Sequence, residues 1–292
     1  MNPFYLLAST LLVISALATV EARASINYTV AGSTYSQDFD SLPNTPQNAT
    51  LGNTPTGWTD DNSTPAAGNF SILGWYLYHP VLQAEGGFNG HQRVRIGAGT
   101  ANTGSFMSFG SSGGTDRALG DVGSTTLAAN NADVYIGLRL NNNTGQTLDS
   151  FTMGYNGEQW RDGGNNPAVA QGMTFMWSTT ATAISDPNTS FTTVAALGYS
   201  SPVFANTSGG AAVDGNVAGK VVVAPVTVTG ISWLPGTDLW LRWDDIQNAG
   251  NDHGLAIDDV VLTADVAVPE PSAIALFALS AAGLIVSRRR KS

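Results

Sequence analysis

From Ser25 to Ala267 the chain is written mostly in a period of two. In 133–140, DVYIGLRL, Val134, Ile136, Leu138 and Leu140 fall on one side and Tyr135, Gly137 and Arg139 on the other. That is the pattern of a strand with one buried face. Met173, Phe175 and Trp177 repeat it, as do Leu239, Leu241 and Trp243 against Trp240, Arg242 and Asp244. Further strand-like runs occupy 27–30, 35–39, 70–78, 93–96, 105–109, 148–156, 221–228, 231–233 and 255–263. The turn-forming run 141–145, NNNTG, predicts a hairpin joining 133–140 to 148–156. Residues 44–68 and 179–219 are rich in small and polar residues and read as loops. No stretch of 25–267 carries the 3.6-residue period of an amphipathic helix. The expected fold class is therefore all-β: a single jelly-roll or concanavalin-like β-sandwich over 25–267.

The two ends break this pattern. Residues 4–20 are almost entirely apolar and Ala22-Arg23-Ala24 has small residues at the spacing of a cleavage site, so 1–24 read as a signal peptide. Its first three residues, Met1-Asn2-Pro3, lack the usual positive charge. At the other end, the uncharged run from Ser272 to Ser287 would make a helix roughly 24 Å long. A bilayer core is about 30 Å thick, so this is a marginal membrane helix. Arg288, Arg289, Arg290 and Lys291 follow it and would stay on the cytoplasmic side. Pro269, Glu270 and Pro271 precede it in a segment that the prolines keep extended.

In that order of motif, apolar run and basic cluster, 268–292 resembles the PEP-CTERM sorting signal of Gram-negative bacteria. The resemblance implies recognition by an exosortase, a membrane cysteine transpeptidase. It also implies transient anchoring in the inner membrane, cleavage near Pro269-Glu270-Pro271, and delivery to the cell envelope or to the exopolysaccharide matrix of a biofilm.

Composition narrows the partners. The 25–267 segment holds 7 Lys or Arg against 20 Asp or Glu, a net charge of −13, which excludes nucleic acid and anionic lipid surfaces as natural partners. There is no cysteine, so burial alone must hold the fold together outside the cell.

Candidate chemistry concentrates in 239–261. In the run LAIDDVVL, strict alternation puts Asp259 on the face of Leu255 and Ile257, and Asp258 on that of Ala256 and Val260. A carboxylate on an apolar face needs a cation or several donors; Arg161, Arg242 or Ca²⁺ could serve. The segments GEQWR (157–161), LWLRWDD (239–245) and DHGLAIDDV (252–260) resemble a recurring PEP-CTERM ectodomain type to which no activity attaches. FDSLP (39–43) together with IDDV (257–260) resembles jelly-roll carbohydrate-binding modules. That resemblance implies a structural Ca²⁺ at Asp40, Asp258 and Asp259, and polysaccharide as a partner.

Glu158 with Asp244 could form a glycosidase-like carboxylate pair. No hydrolase signature accompanies them, however, and a salt bridge from Glu158 to an arginine is the stronger expectation. His79, His91 and His253 are too scattered for a metal site. Trp58, Trp75, Tyr76 and Tyr78 could stack against sugars or fill the core, and the core is favoured. The expectation is a non-catalytic exported protein, with a secreted glycan hydrolase and a permanently membrane-anchored surface protein as alternatives.

Overall fold

The computed structural model describes residues 25–45, 72–78, 94–102, 104–123, 133–246 and 248–267, and the backbone of strands at 50–51, 84–85 and 88–89. The expected signal peptide, the sorting motif with Pro269, Glu270 and Pro271, the apolar run, the cluster Arg288 to Lys291, and Trp58, His79 and His91 lie outside the described residues.

The strands in chain order are β1 (Ile26–Tyr28), β2 (Thr34–Gln37), β3 (Thr50–Leu51), β4 (Trp75–Tyr78), β5 (Ala84–Glu85), β6 (Phe88–Asn89), β7 (Val94–Gly97), β8 (Ser105–Phe109), β9 (Ala118–Val122), β10 (Val134–Asn142), β11 (Leu148–Asp162), β12 (Gly172–Ser178), β13 (Thr192–Thr193), β14 (Tyr199–Ser200), β15 (Ala211–Ala212), β16 (Lys220–Trp233), β17 (Asp238–Asp245) and β18 (Gly254–Asp265). Among the described residues there is no α-helix, and no helix is long and apolar enough to cross a membrane.

The long strands form two sheets packed as a sandwich. The first runs β1-β10-β17-β12-β13, with β4 on β10 and β14 on β12. The second runs β15-β11-β18-β9-β8-β7-β3, with β16 on β11 and β2 on β18. From β10 to β12, and again from β16 to β18, the chain changes sheet at each step. The expected 133–140/148–156 hairpin is thereby overturned, because β10 and β11 belong to different sheets. The turn between them spans the end of the sandwich. Asn142 holds it by donating to the carbonyls of Gln146 (2.8 Å) and Trp233 (2.9 Å). A turn-forming sequence marks where a chain reverses, and reversal onto the facing sheet satisfies it as well as a hairpin does.

The alternating residues meet in the middle. Val134, Ile136, Leu138, Leu140, Leu239, Leu241, Trp243 and Phe175 from the first sheet pack on Phe151, Met153, Tyr155, Leu255, Ile257, Val260 and Leu262 from the second. Trp243 is the centre of this layer. It stacks on Trp75 (5.6 Å, 22°) and meets the edges of Tyr155 (5.6 Å) and Phe175 (5.3 Å), arrangements that suit the ring quadrupole. Trp75 and Tyr76 are thus interior residues, which settles them as core.

Both sheets also bury much of their outer faces. Outside the first sheet, Tyr76, Met176 and Trp240 are covered by Ala181, Ile184 and Phe191 of the long loop after β12. Outside the second, Met107, Phe109, Val122, Trp160 and Ala256 form another apolar layer. β16 is an edge strand, paired on one side with β11. It is continuous through Pro225, which faces Gly154 where the ladder shifts register between Met153 and Tyr155. An edge position beside a bulge is where proline is tolerated in a sheet.

Candidate functional site

β18 is not a regular strand. Opposite β11 its register shifts, with Asn156 facing Asp258 and Gly154 facing Val261. The extra residue is accommodated around Asp259, whose φ is +49°. This bulge corrects the expected side-chain alternation. Leu255 and Ile257 point into the core and so do Val260, Leu262 and Ala264, because the two inward series are three residues apart across the bulge. Asp259 therefore does not share the inward face of Leu255 and Ile257; it is exposed and accepts a hydrogen bond from Asn156 Nδ2 at 2.7 Å. Asp258 lies on the outer face beside Glu158, and both are buried.

Five carboxylates gather around this bulge: Asp40 after β2, Asp116 before β9, Glu158 on β11, and Asp258 and Asp259. Trp160, two residues along the same strand face, donates its indole N–H to Glu158 Oε2 at 2.8 Å. The expected Glu158–arginine salt bridge is not formed. Arg161 donates instead to the carbonyls of Gly99 (3.1 Å) and Thr100 (3.3 Å). Glu158 Oε1 and Asp258 Oδ1 are buried without a hydrogen-bond partner. Burial pushes Glu158 up to about 7, against the Trp160 hydrogen bond. Burial, then the charge of Glu158, pushes Asp258 up to about 8. Asp40 accepts the backbone N–H of Arg117 at 3.0 Å. Lys220, paired with Glu158 in the ladder, is the exposed cation of the group. Among the described residues, no three His, Cys, Asp or Glu side chains converge as they stand into a set that could hold a metal ion.

Asp244 sits on the other side of the molecule. It projects from the outer face of the first sheet with Arg242, under the loop after β12. The Glu158–Asp244 pair is therefore separated by the full sandwich, and a glycosidase geometry built on it is overturned. Arg242 is fully buried. It donates to the carbonyls of Ile184 (3.0 Å) and Asp186 (2.8 Å) and to Asn188 Oδ1 (2.6 Å). Its guanidinium carbon lies 4.1 Å from the centre of the Tyr135 ring and 3.8 Å from that of Phe191. Burial, then Asp133, raises Asp244 to about 7, against the pull of Arg242.

One arrangement was not legible in the sequence. His253 Nδ1 is 3.0 Å from Ser201 Oγ, and its Nε2 is 3.5 Å from Asp162 Oδ1. These are the residue types of a nucleophilic triad, but all three side chains are buried and Ser201 Oγ also accepts the Gln171 N–H at 3.0 Å. Burial, opposed by Asp162, lowers the His253 pKa, which keeps the imidazole neutral. With no opening to the serine, the group ties β14, β11 and β18 together. The three residues are far apart in sequence, so no spacing could have announced them.

An open recess lies at the edge of the first sheet, where β13 and β14 leave β12 partly uncovered. Its volume is about 540 Å³ and its walls include Thr174, Phe175, Thr193, Tyr199, Ser200 and Ile246.

Comparison with known proteins finds no match among the curated proteins. Among solved structures the chain is similar to the CBM22-1 xylan-binding domain of Xyn10C from Paenibacillus barcinonensis, at 11% identity over 82% of this chain and 99% of that one, with a TM-score of 0.33. It is also similar to the K3 cleaved adhesin domain of Lys-gingipain from Porphyromonas gingivalis, at 15% identity over 65% of this chain and 91% of that one, with a TM-score of 0.34. The family comparison matches residues 267–291 to the PEP-CTERM protein-sorting motif. The chain thus carries a PEP-CTERM sorting motif directly behind an all-β sandwich.

Proposed function

We propose that this protein is exported across the inner membrane, cut near Pro269-Glu270-Pro271 by an exosortase, and delivered to the envelope or extracellular matrix, where its sandwich associates with polysaccharide without catalysing a reaction. The observation that carries this reading is the sorting motif at 267–291, placed immediately after a strongly acidic, cysteine-free β domain. The buried Ser201-His253-Asp162 group and the separation of Glu158 from Asp244 support a non-catalytic role. The recess beside β12 supports ligand binding, since a volume of about 540 Å³ lies within the usual range for small-ligand sites. Its hydroxyls and apolar floor suit one or two sugar rings.

Mass spectrometry of the native C-terminus, in cells with and without the exosortase, tests the trafficking. Loss of about the last 25 residues only when the enzyme is present is expected. An intact Arg288 to Lys291 tail in both would identify a permanently anchored protein. Glycan-array binding that disappears on Thr193→Trp, which would fill the recess, tests the ligand.

Ca²⁺ belongs to the same proposal, at the carboxylates around the β18 bulge. Glu158 Oε1 and Asp258 Oδ1 supply two buried acceptors with nothing to accept from. Asp40, Asp116 and Asp259 stand at the rim, and the bound ion would have to draw one of them inward. Millimolar Ca²⁺ is expected to raise the Tm, and Glu158→Gln to abolish the rise. A Tm that ignores both Ca²⁺ and chelator would refute it.

A further inference from the structure

A second pair of buried carboxylates lies far from the bulge and is built differently. Asp121 is on β9, in the second sheet, and is fully buried. Asp245 is the last residue of β17, in the first sheet, and is buried too. Their side chains are within hydrogen-bonding reach of each other across the end of the sandwich. Neither oxygen of Asp121 receives a hydrogen bond from any donor in the described structure. Two ionised carboxylates are both acceptors, so this contact becomes a bond only if one of them carries a proton.

Among the described residues, nothing else in the surroundings could neutralise the pair. Across the ladders Asp121 faces Phe106 and Leu255, and Asp245 faces Val134 and Met173. The ionisable groups that bear on the pair are Asp252, Asp244 and Tyr199, none of them a cation. His253, next to Asp252, is occupied with Ser201 and Asp162. Asp252 packs against Gly123, where a side chain would come within 2.9 Å of its carboxyl carbon. Leaving two bare charges in such a place would cost several kcal/mol per ion, whereas one proton removes a charge and creates a strong O–H···O⁻ bond.

We infer that Asp121 and Asp245 share one proton, and that this proton clasps the two sheets together at the end of the sandwich where Gly123 meets Asp252. The clasp opens when the proton leaves and the two carboxylates repel.

The sign of the pH dependence follows from the direction of both shifts. Burial raises Asp121 to about 7 and, with the charge of Asp121, holds Asp245 well above the ordinary carboxylate value. A raised folded-state value means the stabilisation is whole below about pH 4, the unfolded value, and is lost as pH climbs through about 7. Asparagine at either position donates an N–H in place of the proton at every pH.

Thermal unfolding of the full-length chain between about pH 5 and about pH 8.5 is the test. The wild-type Tm should fall over this range. Asp121→Asn and Asp245→Asn should each flatten the fall, with Tm at the alkaline end equal to or above wild type. Equal slopes in all three proteins would overturn the inference. So would a Ca²⁺-induced rise in Tm that Asp121→Asn abolishes and Glu158→Gln leaves in place, since that would make the pair a cation site. Carboxyl ¹³C titration of the wild type gives a measurement that needs no variant. One of the two aspartates should stay protonated through neutrality, and titration of both near the ordinary value would overturn the shared proton.

Discussion

At the scale of single residues, what the sequence concealed was conformation rather than composition. The segment LAIDDVVL advertised two carboxylates on apolar faces, and alternation gave each a face. Asp258 kept the face of Ala256 but not that of Val260, and Asp259 left the face of Leu255 and Ile257, because one residue in the left-handed region resets the alternation. Glycine at that position would have signalled the bulge, but aspartate does not, although it tolerates the left-handed region better than most residues. The strain can be measured. Asp259→Val, β-branched and without the hydrogen bond to Asn156, should lose about 1–3 kcal/mol of stability, while Asp259→Gly should come out at least about 1 kcal/mol more stable than the valine variant. Urea unfolding of both variants decides it; equal losses would mean that the bulge is unstrained.

Arg242 shows the same limit from another side. Its place on the strand face with Trp240 and Asp244 was legible from alternation. Its neutralisation was not: Tyr135 comes from the neighbouring strand β10, but the carbonyls of Ile184 and Asp186 and the ring of Phe191 come from a loop whose composition looks unstructured.

At the scale of elements, most strands of three residues or more were legible, including the fully buried β8, whereas β9 and the two-residue strands were not. β9, ALGDV, is buried at every position and so has no alternation to read. Within 179–219, read as loop, the 179–197 part contains two short 3-10 turns and β13, and it acts as a lid on the first sheet. Ser178 Oγ caps its first turn by accepting from the N–H groups of Thr180 (3.1 Å) and Ala181 (2.9 Å). Phe191 and Ile184 then settle over Trp240. Arg242→Ala removes the group that bonds the lid from beneath and leaves the carbonyls of Ile184 and Asp186 without their donor. The loss should be about 3 kcal/mol or more. Limited proteolysis should cut between 179 and 197 in the variant before the rest of the chain unfolds. Resistance equal to wild type would show that the apolar contacts hold the lid unaided.

At the scale of the whole molecule, the sequence carried the fold class and the address. The all-β sandwich and its aromatic core follow from periodicity, and the sorting motif from the resemblance carried by Pro269-Glu270-Pro271, the apolar run and the basic cluster. The pairing of the sheets did not, since a strand's face is a local property and its neighbour is not. The interior around Trp75 and Trp243 is where aromatic packing concentrates. Trp243→Ala should cost about 3–5 kcal/mol, measured by denaturant midpoint, because Trp75, Tyr155 and Phe175 all lose a partner at once. With no disulfide to limit the damage, such a loss would take much of the stability that a domain of ordinary size possesses.

The long border strand carries one more consequence. β16 runs fourteen residues with its far side open, rich in valine and threonine, and a single proline stands near its middle. That proline sits against Gly154 where the ladder shifts register, so the rim is interrupted there and offers a neighbouring molecule no continuous template. Replace Pro225 with threonine and the rim would become an unbroken valine- and threonine-rich template for stacking edge to edge into fibrils. At high local concentration, that one ring helps the molecules remain a collection of separate particles.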